Sequence, residues 1–380
     1  MSAYLDHNAS APLLPRAREA MVAALAMTGN PSSVHGPGRA LRALIDAARD
    51  KVAKAAGAEA KQVVFTGSAT EAITQAIVGG VKAFAIDRVI LCATDHAATL
   101  KAAEATGVSV RVVGVDKDGL IDIEALGQHI ETANLAGEKL LVAFSWVNNE
   151  TGVIQPRGRI EAMVGPTPHI LVIDAVQAFG KRDLDFAASP TDMMAISAHK
   201  IGGPAGIGAL LVKGHADTVR LVPGGGQEQG RRGGTESAAL IAGFGAACEG
   251  FDEAFSVERV GGLVEQFEER LLMVAPDAVI FGRETERIGT TVNFAVPGLK
   301  NTVAMMSLDL AGIAVSSGSA CSSGKVGRSH VLSAMGVAPE LSECGLRVSF
   351  GWSSAAEEID AFFKAYETVL SRHRQKGAAA

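Results

Sequence analysis

Short apolar runs, alternating with stretches of helical periodicity, fill most of the first 250 residues and set the strongest limit on the fold. "QVVFT" (62–66) leads into a helical pattern from Ala69 to Phe84, and "RVILCA" (88–93) into another that starts near His96. "VSVRVVGV" (108–115), a helical segment from Asp122, "KLLVAFSW" (139–146), "HILVIDA" (169–175) and "GALLVK" (208–213) continue the alternation. Runs that are apolar throughout belong to strands buried on both faces; separated by helices, they build a mostly parallel sheet. The expectation is an α/β fold, a mostly parallel sheet with flanking helices, whose ligands gather at the carboxyl ends of the strands.

The chain then changes character. "LVPGGGQEQGRRGGTES" (221–237) is a glycine-rich, charged loop, followed by a helical stretch from Ser237 to about Phe251. Beyond Asp252 come a long helix to about Val274, "GTTVNFAV" (289–296), "SSGSACSSG" (316–324), "LRVSFGW" (346–352) and a last amphipathic helix whose end, "RHRQKGAAA", reads as frayed. A chain of 380 residues exceeds one compact core. Residues 15–250 are therefore read as a large α/β domain, 251–380 as a smaller α+β domain, and 1–14 as an N-terminal segment packing with the small domain.

Composition narrows the function. A net charge of −6, with no Lys/Arg stripe interleaved with aromatics, argues against a nucleic-acid partner. No run reaches the roughly 18 apolar residues of a membrane span, so no membrane partner is expected. "MSAYLDHNAS" lacks a basic region followed by an apolar core, which points to a cytoplasmic protein. The cysteines, Cys92, Cys248, Cys321 and Cys344, lack Cys-x-x-Cys pairs or histidines at zinc spacing, as befits free thiols in a reducing compartment. Cys92, inside "RVILCA", reads as core.

Three polar constellations fall at strand ends. "TGSATEA" (66–72) opens a helix directly after a strand, where the first backbone N–H groups and the helix dipole suit a phosphate; an ordinary N-cap by Ser68 or Thr70 is the alternative. Asp174 ends an apolar strand, with Gln177 three residues on; it is either a liganded buried carboxylate or an exposed strand terminus. In "SAHKIGGPAGIG" (197–208), Ser197, His199 and Lys200 precede a glycine turn that leads into a strand, not a helix, which excludes a dinucleotide fingerprint. A lysine so placed is either a solvated surface residue or a carbonyl-reactive amine. Together the three fit pyridoxal 5'-phosphate, which needs a Schiff-base lysine, a phosphate site and an acid that keeps its ring nitrogen protonated.

Across nearly the whole chain, "YLDHNASAP", "GNPSSVHGPGR", "TGSATEA", "VNNETGVIQP", "IDAVQAFGK", "SAHKIGGPAGIGAL", "GGGQEQGRRGGTES", "SSGSACSSG" and "LRVSFG" resemble the cysteine desulfurases, in particular the branch serving nitrogenase and general iron–sulfur cluster assembly. The resemblance implies the aspartate-aminotransferase-like fold (fold type I) and a homodimer with active sites near the subunit interface. It makes Lys200 the Schiff-base lysine, pairs Asp174 with the pyridinium nitrogen, sets Gln177 on the phenolic oxygen and stacks His96 on the ring. Ala69, Thr70, Ser197 and His199 would hold the phosphate, with Thr235 reaching it from the other subunit. Asn149 would lie beside the ring and near the substrate, and Arg347 would clamp the substrate carboxylate. Cys321 matches the nucleophile that takes sulfur from L-cysteine, leaves L-alanine, and passes its persulfide to an acceptor, such as an iron–sulfur scaffold protein, for iron–sulfur cluster or else thio-cofactor or tRNA biosynthesis. No metal is expected in the cofactor site, although Cys321 could transiently ligate a cluster iron. "KVGR" (325–328), Ala11 and Ser237 depart from the family's usual residues and remove no catalytic group.

A thiol in a Gly/Ser run can travel, and Gly318 and Gly324 bracket it as hinges. Attack requires the thiolate, and with no cation adjoining Cys321 on its N-terminal side a base near the substrate is expected, His96 being one. A selenocysteine lyase or another aminotransferase-like enzyme would share every cofactor residue; a non-catalytic binding protein of this fold is the remaining alternative.

Overall fold

A computed structural model of the chain describes residues 3–250, 255, 257–317 and 328–378. Its strands in chain order are β1 (Ala3–Tyr4), β2 (Val63–Thr66), β3 (Arg88–Cys92), β4 (Ser109–Val113), β5 (Leu140–Ser145), β6 (Ile170–Asp174), β7 (Met193–Ser197), β8 (Gly208–Val212), β9 (Val279–Ile280), β10 (Thr291–Ala295), β11 (Ile313–Ala314) and β12 (Gly345–Ser349). Seven of them form one sheet in the order β2-β8-β7-β6-β5-β3-β4. All neighbours from β7 to β4 pair in parallel, while β8 runs antiparallel to both β7 and β2. Every residue of β5, β6, β7 and β8 is buried, which is why these runs carry no polar alternation.

The reversed β8 has a consequence for the site. Its first residue, Gly208, lies opposite both Thr66 at the end of β2 and Ser197 at the end of β7. The loops that leave β2, β3, β5, β6 and β7 therefore gather with the start of β8 along one edge of the sheet.

The helices flanking the sheet begin earlier than the apolar runs suggest. Pro15–Leu25 and Gly36–Ala55 are both helical, the second burying Leu41, Ile45, Ala48 and Val52 along one face and capped by His35. Strand β7 also has no counterpart among the predicted runs. Methionine and alanine have little strand preference, so "MMAIS" gains its extended form from the two strands that flank it. The helix predicted over Ala69 to Phe84 is present, with a π turn at Gln75–Gly79.

A second apolar core lies beyond the glycine-rich loop. Strands β9, β10 and β12 form an antiparallel sheet, and Phe267, Phe294, Phe350, Phe362 and Phe363 pack between it and the helices Val257–Val274 and Ala356–Ala378. Within the segment expected to fray, the helix runs to Ala378, and Arg374 donates to Val274 O at 3.0 Å. At the N-terminus β1 pairs in parallel with β11 and Asp6 bridges to Ser349, while Ala11 and Leu14 donate to His199 O and Gly202 O. Residues 3–14 thus touch both cores. Among the described residues no helix is long and apolar enough to cross a membrane.

Candidate active site

A cavity of about 390 Å³ opens where the strand ends converge. Nine of the residues singled out in the sequence line it: Ala69, Thr70, His96, Asn149, Asp174, Gln177, Ser197, His199 and Lys200. They arrive at five strand ends, those of β2, β3, β5, β6 and β7, and the geometry of each follows from local chemistry.

At the end of β2, Ser68 is extended and caps the helix that follows, its Oγ accepting Glu71 N–H at 3.1 Å. Ala69 and Thr70 are the first two residues of that helix, so their N–H groups have no intrahelical acceptor and face a wall of the cavity. The helix can sit this close to the sheet because residue 208 is glycine. A Cβ there would stand 2.8 Å from Ala69 N, Ser68 C and Ile196 O.

After β3 the chain turns at Asp95, whose carboxylate accepts Cys92 N–H at 2.8 Å and Ser145 N–H at 2.6 Å and so ties the ends of β3 and β5 together. Burial, together with the charge of Asp174, pushes its carboxyl up to about 7. His96 follows as the N-cap of Ala97–Glu104, its Nδ1 accepting Ala98 N–H at 3.1 Å. A neutral ring that accepts at Nδ1 carries its proton on Nε2.

Asp174 closes β6 at the floor of the cavity. One oxygen accepts Val176 N–H at 3.0 Å, and burial raises its pKa while nearby His96 and Lys200 act in the opposite direction. Such a carboxylate favours a cationic ligand. Lys200 ends the short turn after β7 and donates to the carbonyls of Asn8 at 2.6 Å and Ala9 at 2.8 Å. Gly202, with φ of +80°, lets the following turn pass Leu14 where a Cβ would stand 2.7 Å from that side chain. Burial and the charges of Lys200 and Lys181 hold His199 down to about 4, which keeps its ring neutral near pH 7.

Two predicted residues among those described do not line the cavity. Arg347, on β12, is fully buried behind the cavity wall, donating to Asn149 O at 3.0 Å and to Asp6 Oδ1 at 2.7 Å. Thr235 is exposed and does not line the cavity of its own chain. Cys321 lies outside the described residues. The other three cysteines are buried, and burial pushes the Cys92 thiol up to about 12 and raises those of Cys248 and Cys344.

Sequence reasoning passed over Asn8, Ala9, Asp95 and Lys181. Asn8 O accepts from both Lys200 and Gln177, and Lys181 is a second buried lysine. Asp95 adjoins His96 and could have been flagged by that neighbour; Lys181 lies within the quoted "IDAVQAFGK".

The donor set suits a phosphorylated pyridine aldehyde. Amides at a helix start, a buried carboxylate and a primary amine line the same cavity. In the comparisons, the aminotransferase class-V family model matches residues 3–362. A cysteine desulfurase of Enterobacter agglomerans is 35% identical over 383 aligned residues, covering 98% of this chain and 93% of the relative. Among solved structures, a NifS-like protein from Rickettsia africae superposes with a TM-score of 0.88 at 30% identity, covering 98% of this chain and all of the other. SspA in complex with cysteine superposes with a TM-score of 0.81 at 28% identity, over 93% of this chain and all of the other.

Proposed function

The chain belongs to the aminotransferase class-V family, among the cysteine desulfurases, and we propose that it takes sulfur from L-cysteine, releasing L-alanine and leaving a persulfide on Cys321. The observation that carries this reading is the convergence of Lys200, Asp174, His96 and the Ala69 and Thr70 amides on one cavity. That one structural neighbour was solved with cysteine supports the choice of substrate.

Pyridoxal phosphate, when bound here, supplies an electron sink for charge developing at the substrate's α-carbon. The Ala69 and Thr70 amides, with Ser197 and His199, would hold its phosphate. Asp174 would stabilise the protonated ring nitrogen, and Gln177, Asn149 and His96, which line the same cavity, would hold the ring. The Lys200 amine, held at the cavity by the carbonyls of Asn8 and Ala9, would bind the cofactor's aldehyde and take the substrate's α-proton. Arg347 receives the substrate carboxylate.

His96 has a defined proton inventory. With Nδ1 held by Ala98 N–H, Nε2 is the donor. Taking the Cys321 proton on this ring requires release of that cap bond, so donation at Nε2 is the role the resting geometry favours.

The transfer balances without an added oxidant: the Cys321 thiolate bonds to the substrate sulfur, the substrate C–S bond breaks, and the carbon retains the electron pair until it is protonated to alanine. The buried, high-pKa states of Cys92, Cys248 and Cys344 leave them unsuited to this step. We place the enzyme in the cytoplasm, where a reducing environment keeps such a thiol free, as a homodimer in which Thr235 serves the partner's phosphate site, and we assign the sulfur acceptor to a scaffold protein for iron–sulfur clusters.

The proposal is tested on purified protein loaded with pyridoxal phosphate. A visible absorbance band that persists through gel filtration and is lost in Lys200→Ala is expected; a variant that keeps the same band would remove Lys200 from its role.

A further inference from the structure

Arg347 is held from every side. Its strand, β12, lies between β10, where Asn293 is its partner, and Ser316, with which it exchanges two backbone bonds of 2.7 and 3.1 Å. The side chain is 2% exposed; Nη1 donates to Asn149 O, Nη2 donates to Asp6 Oδ1, and Nε is buried without a hydrogen-bond partner among the described residues. Asn149 lines the cavity and Arg347 does not, so the guanidinium sits one residue behind the wall. The Asp6 side chain is 19% exposed and forms the open face of the pair.

A buried guanidinium without an anion is costly, so the folded chain supplies one. The bond from Asp6 uses a single N–H of a group able to grip a carboxylate with two parallel bonds. We infer that Asp6 is a displaceable counter-ion for Arg347: a substrate carboxylate enters by exchanging with Asp6, and this exchange sets how tightly the site holds amino-acid carboxylates. The inference rests on the reading of Arg347 as the carboxylate clamp. Asp6 is a positioning residue that acts through Arg347. Its presence keeps the empty clamp neutral and buried and weakens the grip on any entering carboxylate by the strength of the bond that must first be broken.

The sign is opposite to that of a supporting residue. Removing Asp6 should tighten carboxylate binding, because the ligand then meets an unpaired buried cation. The test uses the holoenzyme with L-alanine, which has the amine and carboxylate but no sulfur, and L-alaninamide, which lacks the carboxylate. Calorimetric titration of Asp6→Asn should show L-alanine bound roughly tenfold more tightly than in wild type, the scale of a hydrogen bond to a charged group. L-alaninamide should bind both proteins alike, and saturating L-alanine should raise the melting temperature of the variant more than that of wild type. Asp6→Glu should restore wild-type affinity, and Asp6→Ser takes the place of the asparagine variant should that one misfold.

Equal or weaker binding of L-alanine after Asp6 is replaced would overturn the inference, as would an equal change for both ligands. Arg347→Gln separates the two levels. Unchanged L-alanine affinity in that variant removes the clamp itself, whereas its loss there with no gain in Asp6→Asn removes only the role of Asp6.

Discussion

The amine of Lys181 lies 3.0 Å from Gln177 Oε1, and the Nε2 of the same amide donates to Asn8 O, which also accepts from Lys200. A buried lysine thus fixes which end of Gln177 faces which partner, one bond away from the proposed Schiff-base amine. Burial, and then the charges of Lys200 and Arg347, bring the Lys181 amine down to about 7 from its ordinary 10.5.

That depression predicts a pH dependence of stability. Between pH 7 and about 10.5 the unfolded chain binds a proton that the folded chain has released, so this group makes stability rise with pH across that window. Below pH 7 both states hold the proton and its cost is fully present. Relative to Lys181→Met, the wild type should gain up to about 1.4 kcal/mol per pH unit through the window. Denaturant unfolding of both proteins at pH 7, 8 and 9 reads this directly; a constant difference would show that the amine titrates normally.

Asp174→Asn keeps the size of the side chain and an acceptor for Val176 N–H while removing the charge proposed to hold the ring nitrogen protonated. Alanine formation from L-cysteine should fall by roughly 100-fold or more, the scale lost with one preorganised electrostatic partner. Cofactor stoichiometry, measured alongside, should fall far less. Near-normal turnover would contradict the role given to Asp174.

Gly208→Ala places a methyl group 2.8 Å from three backbone atoms, including Ala69 N. Neither the sheet nor the helix start can yield cheaply, and a stability loss of about 1–3 kcal/mol is expected. Because the displaced atoms include the proposed phosphate cradle, cofactor should also dissociate faster, followed as loss of visible absorbance on dilution. Loss of stability with unchanged cofactor release would place the phosphate elsewhere.

His96 combines a helix cap with a proton on Nε2, and these can be separated. Asparagine is a good N-cap but supplies no ring proton. His96→Asn should unfold within about 0.5 kcal/mol of wild type and yet lose roughly 100-fold or more in alanine formation. An active His96→Asn enzyme would reduce His96 to its structural role.

How much of this was legible in the sequence follows from where the information lies. Strands β2, β3, β5, β6 and β8 announce themselves as apolar runs, because burial on both faces leaves no place for polar residues. β7 does not, since its extended form is imposed by neighbours. Asp174 is visible as a polar residue ending an apolar run, and Lys200 as a lysine before a glycine turn that leads into a strand. Asn8 was not visible as a partner of Lys200, nor Asp6 as a partner of Arg347: these contacts join positions 192 and 341 residues apart, and no local pattern records them. The helix Gly36–Ala55 contains no long continuous apolar run; it buries Leu41, Ile45, Ala48 and Val52 among exposed polar residues.

The central claim is that sulfur moves from L-cysteine to Cys321 by way of a site built around Lys200. It is met most directly by incubating cofactor-loaded wild type, Cys321→Ala and Lys200→Ala with L-cysteine, then measuring alanine and, by intact-protein mass spectrometry, the addition of one sulfur atom. The account predicts alanine and a single added sulfur in the wild type. It predicts a Cys321→Ala protein that retains cofactor but gains no sulfur, and a Lys200→Ala protein that yields neither. Full sulfur addition in Cys321→Ala, or wild-type alanine formation in Lys200→Ala, would contradict it.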